Sequence, residues 1–245
     1  MSITKLKLIA ILSLTTGLVF TAINLGFHYF GATATDNSQQ RRDVKILYRT
    51  IQQFANNNTS LLLSTKYRLQ KANGDWKETT TDYNSDGSIR GRYDTYAIAG
   101  KGVFAVSESQ KTLFFRSPRP NLPSNFSEAR YKSNPNYIGE ATVAGFRTLV
   151  QRSVNKAVGG DIETTEFYDS PELGGLTLKI INKSADGATI YEATEAKIEP
   201  VTEAEFGSLP DYPVNYGSYK NQINSVEAAG QKQLADEMRR NIPSN

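Results

Sequence analysis

The sequence predicts a mainly β domain of the α+β kind, built as a curved antiparallel sheet or half-barrel. Three observations point there. From residue 59 onward, apolar and polar residues alternate in short runs. The runs are separated by Asn73-Gly74, Asp86-Gly87, Gly159-Gly160, Gly174-Gly175 and Asp186-Gly187, pairs that supply the positive φ angles of tight turns. The connections leave no room for crossover helices, so neighbouring strands are antiparallel.

Taken in order, residues 41–55 place Val44, Leu47, Tyr48, Ile51, Phe54 and Ala55 at helical spacing, and the following Asn56-Asn57-Asn58 ends that helix. Strands follow at 60–70, 76–83, 89–99, 103–107 and 112–116. Residues 117–136 break the alternation with four prolines and read as a long loop or lid. The meander resumes at 139–153, 161–169, 176–182 and 189–199. Residues 225–240 read as a peripheral helix, with Ser225 as N-cap and a thin apolar face of Val226, Leu234 and Met238. Several strands are apolar on both faces, notably Val103-Phe104-Ala105-Val106, Leu113-Phe114-Phe115 and Ile180-Ile181. A half-wet sheet alternates strictly, so these strands call for helices, the Pro-rich loop or a ligand on the concave side.

Ahead of the domain, Lys5 and Lys7 precede an apolar run at 8–30 with no charged residue. Basic residues followed by an apolar run are the grammar of export. Residues 1–34 are either a retained transmembrane anchor or a signal peptide cleaved after Ala34, and 35–40 form a polar tether. Both readings deliver the domain outside the cytoplasm, inner-membrane anchored and periplasmic or secreted. Lys and Arg number 28 against 25 Asp and Glu, with both signs interspersed, so no footprint for nucleic acid is visible.

Cysteine is absent, and the single histidine, His28, falls inside the apolar run. The domain therefore lacks disulfides, thiolate chemistry, and an imidazole for a triad or for zinc. No cofactor, metal or catalytic residue is expected. Asp82-Tyr83-Asn84-Ser85-Asp86-Gly87 opens like a calcium loop, but Tyr93 stands where the bidentate Glu belongs, so a polar hairpin turn is the expectation. Glu163, Glu166, Asp169 and Glu172 would be the raw material of a carboxylate hydrolase, yet strand parity sets Glu166 against Glu163 and Asp169. Ser170-Pro171 lacks the glycines of a nucleophile elbow.

Gly139, Val143, Gly145 and Phe146, then Pro171-Glu172-Leu173-Gly174, then Phe206 and Leu209-Pro210 follow a pattern that resembles the LolA/LolB/RseB-like bacterial envelope proteins, in particular the lipoprotein-sorting-like relatives. The resemblance implies that 41–217 is a half-barrel with an apolar concavity, used to hold acyl chains or to sense envelope components, with 218–245 as a helical tail. On this reading the concave side carries Phe104, Val106, Phe114 and Phe146, joined by Val150, Phe167, Leu178 and Tyr191. The expected function is non-catalytic: binding of a lipid-like ligand or a lipoprotein partner. The alternative is a module with a fully packed core that docks an envelope protein by its sheet edge or Pro-rich loop.

Overall fold

The computed structural model describes residues 42–56, 59–118, 126–156 and 162–242. The expected leader and tether at 1–40, residues 119–125 of the Pro-rich segment and the expected turn at Gly159-Gly160 lie outside them. No helix among the described residues is long and apolar enough to cross a membrane.

The described residues form one open sheet of 12 strands. In chain order these are β1 (Val44–Phe54), β2 (Ser60–Gln70), β3 (Trp76–Tyr83), β4 (Ile89–Ile98), β5 (Gly102–Ser107) and β6 (Thr112–Ser117). Then come β7 (Tyr137–Val143), β8 (Phe146–Lys156), β9 (Ile162–Ser170), β10 (Leu176–Ser184), β11 (Gly187–Ile198) and β12 (Val214–Asn215). Two antiparallel meanders, β1 to β6 and β7 to β11, join where β11 pairs with β1. The sheet curls at its far end, where the terminal strand β7 approaches β11.

Three expectations need correction. Residues 44–54 form the central strand and not a helix. Val44, Ile46 and Tyr48 are each 1% exposed on one face, while Leu47 on the other is 39% exposed. Period-two burial between two partner strands overrides the incidental helical spacing. The single run at 139–153 is a hairpin of β7 and β8. Its two-residue turn is Ala144-Gly145, both at positive φ (49° and 84°), which matches the strand twist. The C-terminal helix is two helices, α3 (Gly217–Ala228) and α4 (Lys232–Arg239). They are preceded by α1 (Glu128–Lys132) and α2 (Glu203–Phe206), the latter closed by a Thr202–Glu205 capping box.

The helix pair is not peripheral either. Tyr219, Ile223 and Ala235 are buried in one core with Leu69, Tyr96, Phe104, Val106, Leu113, Phe115 and Phe206. A second core holds Val44, Ile46, Tyr48, Val143, Leu173, Leu178 and Ala193. Register shows that the two cores occupy opposite faces of the sheet. Val44 pairs with Gln70 and Lys45 with Leu69, so Leu69 points away from the side taken by Val44. The C-terminal helices thus account for one face of β4 to β6, and the curling β7 end for the opposite face of β1, β10 and β11.

Candidate functional site

The face that carries Val44, Ile46 and Tyr48 continues across β2 to β6. One cross-strand row reads Tyr48, Lys66, Thr80 and Tyr93. The next reads Ile46, Arg68, Glu78, Thr95, Ala105 and Phe114. Its middle is aromatic and charged where an apolar concavity was expected. Lys66 Nζ donates to Glu78 Oε1 at 3.0 Å and lies 5.4 Å from the centroid of the Tyr191 ring. Arg68 stacks its guanidinium 4.4 Å over Trp76 and donates to Gln70 Oε1 at 2.8 Å. Tyr48 and Tyr191 stack at 4.5 Å with planes 15° apart, and Tyr48 Oη donates to the Thr177 carbonyl at 3.1 Å. Burial drives the phenol pKa of both tyrosines upward, so they act as neutral hydrogen-bonding groups. Glu78 and Thr80 are buried, whereas Lys66, Arg68, Trp76 and Tyr93 are half-buried. Alternation along β2 to β4 assigns these residues to one face, but it gives no sign of the strand order that sets them beside Tyr48 and Tyr191.

The eight residues expected on the concave side do not form one site. Phe104 and Val106 belong to the core under the C-terminal helices, where Phe104 meets Phe115 edge-on at 5.6 Å. Leu178 is in the second core, with Phe146 and Tyr191 packed against it. Phe114 ends the Arg68–Glu78 row, half-buried. Val150 is buried on β8, and Phe167 is half-buried on β9.

The acids do not converge. Glu166 pairs across to Arg152 and Asp169 to Leu149, three residues along, which puts them on opposite faces of β9. Glu166 is 4% exposed and receives Arg152 Nη2 at 2.8 Å, Tyr168 Oη at 2.9 Å and Lys183 Nζ at 3.4 Å. Burial pushes its pKa up, and those donors bring it below the usual carboxylate value. Glu163 and Glu172 are exposed. The segment at 82–87 is the β3–β4 turn: Asp86 Oδ1 accepts from the Ser88 amide at 2.9 Å, and Asp82 faces Arg90 at 3.3 Å. Among the described residues no three His, Asp or Glu side chains are grouped to hold a metal.

Ser170 Oγ is buried and finds no hydrogen-bond partner among the described residues. A buried hydroxyl without a partner carries a desolvation cost of about 1–3 kcal/mol. Ser170→Ala is therefore expected to leave the melting temperature unchanged or raised in a thermal scan. A loss exceeding about 1 kcal/mol would show that the hydroxyl is bonded after all.

No protein-family model matches the chain, and no curated protein does. Solved structures resemble it over about two thirds of its length. A crystal structure of MucB shares 13% identity with a TM-score of 0.38, covering 71% of this chain and 60% of that one. The MucA/MucB complex of Pseudomonas aeruginosa gives 13% identity and a TM-score of 0.40, covering 70% of this chain and 57% of that one. A putative outer membrane lipoprotein-sorting protein domain from Vibrio parahaemolyticus gives 10% and 0.29, covering 68% and 89%. The chain spans less than two thirds of the MucB chains it resembles.

Proposed function

We propose that the chain is a non-catalytic binding module of the cell envelope that engages a polypeptide partner through the aromatic and basic tract on β1 to β4. The observation that carries this reading is where the apolar surface goes. Phe104, Val106, Leu113 and Phe115 are occupied by the chain's own α2, α3 and α4. Tyr48 is likewise enclosed in the second core. What stays half-buried on the tract is Arg68 on Trp76, together with Tyr93 and Lys66. Trp, Tyr and Arg are the residues that dominate the binding energy of protein interfaces. A second reading, an apolar ligand, draws on the half-buried Phe114, Phe146, Phe167 and Tyr191. Export and anchoring belong to this proposal through the apolar run at 8–30.

The test is crosslinking in the envelope of the producing cell from a photoreactive residue at position 68, compared with position 67 on the opposite face. A single polypeptide captured from 68 and absent from 67 is the expected result, weakened when Trp76 is changed to Ala. Equal capture from both positions removes the tract from the proposal. A stoichiometric lipid retained in the native mass spectrum, without polypeptide capture, transfers the function to the apolar-ligand reading.

A further inference from the structure

We propose that Asp169 and Tyr131 form a pH-operated latch, holding α1 on the sheet through two alternative hydrogen-bonded states. Tyr131 is the penultimate residue of the short α1, and its hydroxyl has two acceptors within reach: Asp169 Oδ2 at 2.7 Å and the Leu149 carbonyl at 3.3 Å. A phenol has one hydrogen, so it serves one acceptor at a time. With Asp169 ionised, Tyr131 donates to Oδ2 while Thr177 Oγ1 donates to Oδ1 at 2.5 Å. With Asp169 protonated, the new carboxyl proton points to the Tyr131 oxygen, and the phenol hydrogen turns to Leu149. Every polar group keeps a partner in both states. The same chain of bonds reaches the central strand, because Tyr48 Oη donates to the Thr177 carbonyl.

The surroundings isolate Asp169 as the group that titrates. Among the described residues no cation forms a salt bridge with it, and burial raises its pKa against the donors Thr177 and Tyr131. The charged groups nearby are Glu128 and Lys132 on α1, Glu140 on β7 and Arg147 on β8, and they pair with one another. Hydrogen bonds from Arg147 and Lys132 hold Glu128 down at about 2 and Glu140 below the usual range. Lys132 and Arg147 are shifted upward by Glu128, so this quartet stays charged through mild acid and neutrality. Tyr131 also meets Tyr137 of β7 edge-on, and burial raises the pKa of Tyr131 and of Tyr48, so both stay protonated. Lys179 of β10 is committed to Glu192.

The sign follows from the raised pKa. Opening α1 rehydrates Asp169 and returns it toward its ordinary value, so the closed form binds the proton more tightly. The latch is firmest below the unfolded pKa and loosens as pH rises through the folded one, by up to about tenfold in the opening equilibrium per pH unit. The experiment is hydrogen exchange of the full chain from just below the ordinary aspartate pKa to neutrality, about pH 3.5 to 7.5, corrected for intrinsic rates and read at the Tyr131 and Ser133 amides. Both amides are bonded within or at the end of α1. Wild type should lose protection there as pH rises, with the β1 amides unchanged as a control of folding. Asp169→Asn, which keeps a donor and an acceptor but cannot titrate, should give protection independent of pH. Tyr131→Phe should lower protection and keep or steepen its pH dependence, because it removes a hydrogen bond that lowers the Asp169 pKa and leaves the burial that raises it. A wild-type profile that is flat, or one that persists unchanged in Asp169→Asn, overturns the latch.

Discussion

Gly187→Ala is expected to lower the melting temperature by about 6–12 °C. Gly187 opens β11 opposite Phe54, with φ at 141°. A Cβ there would run into the backbone carbonyl of Gln53 on the central strand, an atom that has no rotamer by which to retreat. The left-handed backbone costs about 1–3 kcal/mol for a residue with a side chain, and the displaced strand pairing adds to it. About 3 kcal/mol in all converts to the stated shift at about 2–4 °C per kcal/mol for a domain of this size. Gly139 supplies the control, with φ at 140° and open space where its Cβ would stand. Gly139→Ala therefore carries the backbone cost alone. Calorimetry on both variants separates the two contributions, and equal shifts would refute the clash with Gln53.

Hairpins whose turns carry Asn-Gly or Asp-Gly were legible in the sequence, since those residues state both the turn and the register. β2 and β3 fall at Ser60–Gln70 and Trp76–Tyr83, as the alternation predicts. The Ala144-Gly145 turn carries no Asn or Asp, and the hairpin there read as one long run. β1 misled for a different reason. The exposed Leu47 and half-buried Ile51 on the other face, with Phe54 at the strand's end, add apolar residues to the Val44-Ile46-Tyr48 set and produce a helical spacing by coincidence. The tract was hidden for a third reason. Lys66, Arg68 and Glu78 alternate as solvated strand residues do, and only the pairing of β1 to β4 brings them side by side with Trp76 and Tyr93. Local pattern fixes which residues share a face; strand order is a property of the whole sheet.

The same limit governed the C-terminal helices, whose thin apolar face suggested a tail. Ile223 is 2% exposed beneath Leu69, Tyr96 and their neighbours. Tyr219, also 2% exposed, meets Phe115 edge-on at 5.0 Å and donates from its hydroxyl to the Met238 carbonyl at 3.3 Å, which ties α3 to α4. A few well-placed side chains are enough, because burial counts by completeness and not by the width of the stripe. Ile223→Ala removes buried methylenes and leaves a cavity, at a cost of about 2–5 kcal/mol. Asn224→Ala, exposed one residue along, should stay within about 0.5 kcal/mol of wild type. Urea unfolding monitored by tryptophan fluorescence reads the sheet through Trp76 of β3, the single tryptophan of the chain. A lower midpoint with unchanged slope for Ile223→Ala means that helices and sheet unfold as one unit. If that midpoint matches wild type, the helices are an appendage, Phe104 and Phe115 are held by the sheet alone, and the apolar face under α3 becomes available to a ligand.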